Sequence, residues 1–147
     1  MRISTKGDYG IRALIELAHH YGEERLTQSA DIAARQNIPE SYLEQLLATL
    51  RRAGFVRSVR GPQGGHALAR PPDEIKVSEV IRALEGEIVP VECLEAASEC
   101  SRAGGCAQRE MWEEVQKAIM SVLDRVTIGE LAAKDRQRIL RADRYVI

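Results

Sequence analysis

Between Leu26 and Leu68 two short helical patterns meet at a sharp break and lead directly into a glycine-rich hairpin. Few folds accommodate that order. In the first pattern, Leu26 to Asn37, Thr27 can cap the helix while Ile32 and Ala33 face inward. Asn37-Ile38-Pro39 interrupts the chain, and Pro39 suits the opening of a helix, where its missing N–H costs nothing. The second pattern runs from about Glu40 to Ala53, with Leu43, Leu46, Leu47 and Leu50 as its apolar stripe and Gly54 as its stop. Phe55 to Arg60 reads as a strand, Gly61-Pro62-Gln63-Gly64-Gly65 as a turn, and His66 to Ala69 as the returning strand. A helix-turn-helix followed by a hairpin is a winged helix-turn-helix.

Helical patterns flank this unit. One starts at Ser4 or Thr5, carries Ile11, Leu14, Ile15 and Ala18 on one face, and ends at Gly22. Pro71-Pro72 closes the unit, and Val77 to Leu84 reads as a short helix with Ser78 near its start. Glu87 to Gly105 is a loop long enough to be functional. Gln108 to Val126 is the longest helical pattern, with Trp112, Val115, Ile119, Val122 and Val126 along one seam. Such a seam needs a partner, and the same helix of a second copy is the expected one. Thr127 to Ala132 reads as a short terminal helix, and the charged stretch Lys134 to Arg144 as mobile, with Tyr145-Val146-Ile147 able to dock. The expected fold class is mainly α. Its parts are a DNA-binding unit over 1–72, a short helix and cysteine loop over 73–107, a dimerisation helix and short terminal helix over 108–134, and a tail over 135–147. With aromatics at 4% of 147 residues, the core must be aliphatic, which suits helices packed on helices.

The net charge of −1 hides an asymmetry. Residues 1–72 carry 10 Lys/Arg and 7 Asp/Glu, whereas residues 73–147 carry 11 and 15. From Arg51 to Arg70 there are five arginines and no acid. Local basic surface sets phosphate attraction, so the first half suits nucleic acid. The second helix of the pair must present polar groups at its N-terminal turn, the end that enters a major groove. There Gln45 suits adenine, Glu44 suits cytosine N4, and Ser41 suits either. Tyr42 suits a phosphate or a thymine methyl, and Arg51 and Arg52 the DNA backbone. Arg60, beside the turn glycines, suits a narrow minor groove. The plainer alternatives are a solvated helix face and an ordinary glycine-rich hairpin.

The three cysteines follow Cys93-x6-Cys100-x5-Cys106. Three thiols in one loop can converge on a soft metal, either zinc, copper(I) or an iron–sulfur centre. Zinc sites usually show paired C-x2–4-C ligands, which are absent here. Buried structural cysteines fit poorly beside Glu92, Glu95, Glu99 and Arg102. An enzyme is disfavoured: no His/Asp partner has recognisable spacing to a cysteine, and no phosphate-binding glycine loop opens a helix. A zinc-stabilised interaction module is the remaining alternative from another class. The expected setting is the cytoplasm, with no membrane partner. No apolar run reaches about 18 residues, and Met1 to Gly7 lacks a signal-peptide core.

Met1 to Gly10, Ser41-Tyr42-Leu43-Glu44-Gln45-Leu46 and Val59-Arg60-Gly61-Pro62-Gln63-Gly64-Gly65-His66 together resemble the IscR/CymR/NsrR superfamily of bacterial winged-helix regulators, over Met1 to about Ala132. The resemblance implies a homodimer on a roughly palindromic double-stranded DNA operator, with base contacts by Ser41, Glu44 and Gln45 and a minor-groove contact by Arg60. It implies that the helix from Gln108 is the dimer helix. Of the branches, the IscR-like one implies a 2Fe–2S cluster and control of iron–sulfur assembly genes. The NsrR-like one implies a nitric-oxide-sensitive 4Fe–4S cluster. The CymR-like one, in cysteine metabolism, lacks the loop cysteines. Val89 to Glu92 and Trp112 to Leu131 look closest to CymR and to Gram-positive IscR forms, and the cysteines favour the latter. Two departures stand out. The first cysteine gap is one residue longer than the usual pattern, and Arg109 stands where that pattern has a histidine ligand. Asp8 matches a position from which some NsrR-like members supply a carboxylate across the dimer. Asp8 is equally placed to be a first-turn helix acid. Glu92, Glu95, Glu99 and Glu110 are unranked alternatives, and His19, His20 and His66 are read as surface and wing residues.

Overall fold

The computed structural model describes residues 2–95, 101–102 and 104–145. Val146 and Ile147, expected to help dock the C-terminus, and Cys100 and Glu99 of the loop lie outside the described residues. The elements run α1 (Thr5–His19), α2 (Ser29–Gln36), α3 (Glu40–Arg52), β1 (Val56–Val59), β2 (Gly65–Leu68), α4 (Val77–Glu85), α5 (Ala107–Arg125) and α6 (Ile128–Tyr145). Short 3-10 turns lie at Pro72–Glu74 and Glu92–Leu94.

Helix α1 opens where its sequence asks it to: Ser4 accepts the Lys6 N–H at 3.2 Å as N-cap. It ends at His19, three residues before Gly22, whose φ of 88° serves the following turn. Helices α2 and α3 meet at Asn37, which takes the left-handed conformation (φ 53°) and drops Ile38 into the core. The expected cap at Thr27 is not formed. Gln28 is the N-cap of α2, and the Thr27 backbone pairs instead with His66, donating at 2.9 Å and accepting at 2.8 Å. An extended chain entering α2 satisfies its amides more fully by joining the wing than by capping with a side chain. The wing therefore has a third, one-residue bridge beside the antiparallel β1–β2 pair, registered Val56 to Leu68 through Val59 to Gly65.

One continuous core joins Leu14 and Leu17 of α1, Ile32 of α2, the four leucines of α3, Val56 and Leu68 of the wing, Val80 and Ile81 of α4, and Ile128 and Ala132 of α6. The end of α5 returns the chain to this core. Val77 donates to the Val126 carbonyl at 3.0 Å, and Ile128 donates to that of Ile75 at 2.9 Å. The expectation of a short last helix with a mobile charged tail is corrected: α6 continues through Lys134 to Tyr145. No glycine or proline interrupts Glu130 to Tyr145. The charged side chains also find work, because Asp135 pairs with His19 at 2.8 Å and Arg136 donates to the Ala18 carbonyl at 3.3 Å. Helix α5 has no fully buried residue; Met111 and Val122 are about half exposed. Among the described residues no helix is long and apolar enough to cross a membrane.

Candidate nucleic-acid interface and cysteine site

The α3 leucines turn one face inward, and helical geometry then sends Ser41, Glu44 and Gln45 outward, where all three are exposed. Tyr42 behaves differently from its neighbours. Half-buried, it meets the Tyr9 ring edge-on with centroids 5.9 Å apart, and its hydroxyl lies 3.4 Å from the Thr5 hydroxyl of α1. Both ring and hydroxyl are thus engaged with α1. Arg51 and Arg60 stand on opposite walls of a groove of about 380 Å³ between α3 and the wing, shared with Glu44 and His66.

The wing is held rigidly for an exposed hairpin. Gly61 adopts φ 111°, and a Cβ on Gly64 would run into the Val59 carbonyl oxygen. Gln28 donates to the Gly64 carbonyl. The His66 ring bridges Ser29 of α2 at 2.9 Å and Ser58 of β1 at 2.7 Å. Burial pushes its pKa below the ordinary value and the Arg51 charge acts in the same sense, while Glu44 opposes both. This bracing role was not legible in the sequence, because Ser29 lies on another element, 37 residues from His66 in the chain. His19 and His20, read as surface residues, pair with Asp135 and, at 3.2 Å, with Glu23.

Another polar constellation fastens α1 to α2. The buried Glu16 carboxylate accepts from Arg35 at 2.8 Å and from Gln36 at 3.0 Å. Burial alone would raise its pKa, but those hydrogen bonds and the Arg35 and His19 charges outweigh it and hold the group below the usual carboxylate value.

At the other end, Cys93 lies in the Glu92–Leu94 turn and Cys106 is the N-cap residue of α5. Both thiols are free and half-buried. They line one cavity of about 270 Å³ together with Val91, Arg102, Arg109 and Trp112. Arg109 holds the two sides together, donating to the Cys93 carbonyl at 3.1 Å and to Glu113 at 3.0 Å. Two soft donors opening on one small, mostly apolar cavity suit a thiolate-held centre. Among the described residues no group of three or more His, Cys, Asp or Glu side chains that could hold a metal is assembled. Asp8 is occupied within its own helix by Arg12, at 2.9 and 3.1 Å. Glu92, Glu95 and Glu110 are exposed.

A helical core, an outward-facing recognition helix and a braced wing define a winged helix-turn-helix DNA-binding protein. The profile of the Rrf2 family, described as iron-dependent transcriptional regulator, matches residues 3–134, and the chain belongs to that family. CymR of Bacillus subtilis is 45% identical over 133 residues, 90% of this chain and 91% of the relative. Its solved structure, of the global cysteine regulator of that organism, superposes with a TM-score of 0.77 over 91% of this chain and 98% of that one. IscR of Aliivibrio salmonicida is 38% identical and covers 95% of this chain and 86% of its own. The structure of T. potens IscR is 41% identical with a TM-score of 0.73, covering 92% and 88%. These relatives are named as transcription regulators, not as enzymes, and the chain is a DNA-binding transcription regulator.

Proposed function

We propose that the protein is an iron–sulfur-sensing, sequence-specific repressor of iron–sulfur cluster biogenesis genes, acting in the cytoplasm as a homodimer on a palindromic operator. The observation that carries this reading is the shared cavity of Cys93 and Cys106 at the start of α5, in a chain whose opposite end presents a recognition helix and wing. Cys93, Cys100 and Cys106 supply three thiolates, and Asp8 from the second copy is the candidate fourth ligand, released from Arg12 on assembly. A 2Fe–2S cluster is preferred to 4Fe–4S, and when bound it supplies a centre whose loss or alteration reports on iron and redox conditions. Arg109 offsets negative charge of the thiolates there and, standing at the position of the histidine in the best-known pattern, leaves no imidazole ligand at that place. Ser41, Glu44 and Gln45 read bases, Arg60 enters the minor groove, and Arg51 and the Tyr42 hydroxyl hold phosphates. The half-exposed seam of α5 is the proposed dimer surface.

A second reading has its own support. The identity to CymR favours a repressor of cysteine metabolism, for which three cysteines in one loop have no evident use. Anaerobic reconstitution separates the readings, including that of a nitric-oxide-sensing 4Fe–4S protein. Wild type is expected to hold iron and sulfide with visible absorption, and Cys93→Ala, Cys100→Ala and Cys106→Ala to hold none while remaining folded. Asp8→Ala is expected to keep a cluster of altered spectrum. Wild-type protein that takes up zinc but no iron or sulfide overturns the reading.

A further inference from the structure

We infer that Glu85 is a positioning residue that links the base of the cysteine loop to the reading turn of α3, through the N-terminus of α1. Glu85 is the last residue of α4, and Gly86, at φ 81°, begins the loop that carries the cysteines. One carboxylate oxygen, Oε1, accepts three hydrogen bonds from α1. They come from the Ser4 N–H at 2.7 Å, the Ser4 hydroxyl at 2.6 Å and the Gly7 N–H at 3.0 Å. Free N–H groups at a helix start need acceptors, and a negative charge there is favoured by the helix dipole.

Local capping does not require Glu85, because the Ser4 hydroxyl already accepts from Lys6 within the same turn. What Glu85 adds is a bond across 78 to 81 residues of sequence. The two helices meet closely here. A Cβ on Gly7 would come within 2.7 Å of Ile3 Cγ2 and 2.8 Å of Glu85 Oε1, and one on Gly10 would overlap the Leu84 side chain. The same first turns of α1 then hold α3. The Thr5 hydroxyl faces that of Tyr42, and the Tyr9 ring abuts the Tyr42 ring. Tyr42 sits between Ser41 and Glu44, the exposed groups at the head of the recognition helix. Hydrogen bonds weaken steeply as geometry departs from the optimum, so α1 must follow the end of α4 or lose all three.

The physical link stands on the hydrogen bonds and packing above; its use as a signal rests on the reading of the loop as a sensor. Amide hydrogen exchange on the full metal-free chain tests the link. Glu85→Ala is expected to speed exchange about tenfold at Gly7 and at Leu43 and Glu44, but not at Leu50. Glu85→Gln, whose amide oxygen still accepts, is expected to restore slow exchange at α3. A change confined to α1, or one spread evenly over every helix, overturns the inference. The second measurement is operator affinity of reconstituted against metal-free protein. The wild-type ratio is expected to differ from one, to collapse towards one in Glu85→Ala and to return in Glu85→Gln. A wild-type ratio of one defeats the sensor reading alone, and the exchange result then decides the case for Glu85. A full ratio retained in Glu85→Ala overturns the inference.

Discussion

Helices α3 and α5 are both amphipathic, yet they end up in opposite situations. In its 13 residues α3 buries Leu43, Leu46, Leu47 and Leu50. The longer α5, 19 residues, buries none completely and leaves Met111 and Val122 about half exposed. The orientation of α3 is therefore set inside one chain, whereas α5 keeps a half-exposed seam that the proposed dimer would cover. On the proposed function, placing base reading on the element with the most internal constraint keeps the distance between those side chains fixed. On the same reading, placing Cys93 and Cys106 against the less buried helix leaves that region free to respond.

The largest effect expected from this contrast is on stability. Leu50→Ala should cost about 2–5 kcal/mol in denaturant titrations, since Leu50 is fully buried. Val122→Ala should leave the denaturation midpoint nearly unchanged at high protein concentration, yet raise the concentration at which sedimentation shows dissociation. Equal losses of stability in the two variants would break the comparison.

Within the well-packed half, Glu16→Gln should cost about 1–3 kcal/mol, because it removes a charged acceptor from Arg35 and Gln36. The sign with pH follows from the lowered pKa of Glu16. Its contribution is complete above the ordinary value of 4.5 and disappears as pH falls through the lower folded-state value. Denaturation curves of wild type and Glu16→Gln should therefore converge below pH 4.5.

Arg60→Ala should weaken operator binding by about 1–3 kcal/mol and leave sedimentation unaltered, which would separate reading from assembly. Unchanged affinity in a gel-shift titration at fixed salt would remove Arg60 from the interface.

The smallest effect concerns His66. Its lowered pKa means that, below the ordinary value of 6.5, the unfolded chain takes up a proton that the folded chain resists. Stability is full above that pH and falls as pH drops towards the folded-state value. His66→Gln should flatten this slope between pH 7.5 and about 5.5, measured by thermal melts; an unchanged slope would show that another group titrates.

The geometry of the candidate interface was legible because it is written in periodicity. Leucines three and four apart define the buried side of α3, and that alone sends Ser41, Glu44 and Gln45 to the other side. The wing was legible from glycine chemistry at Gly61 and Gly64. The cysteine loop was legible as a cluster of thiols, but not as a cavity lined by Arg109, since a loop has no period from which to infer its contacts. The last helix was misread, because a charged stretch lacking an apolar stripe looks unpaired until its partners His19 and Ala18 are in view.

Local order along the chain, with its helices, turn and hairpin, was decided by the sequence itself, through backbone preferences and the spacing of apolar residues over a few turns. Tertiary structure alone decided that Thr27 would join the wing, that His66 would stand between Ser29 and Ser58, and that Glu85 would close the start of α1. These pairings span from 8 to 81 residues. A polar group chooses such a partner only after hydrophobic packing has brought the elements together and removed the water that would otherwise satisfy it.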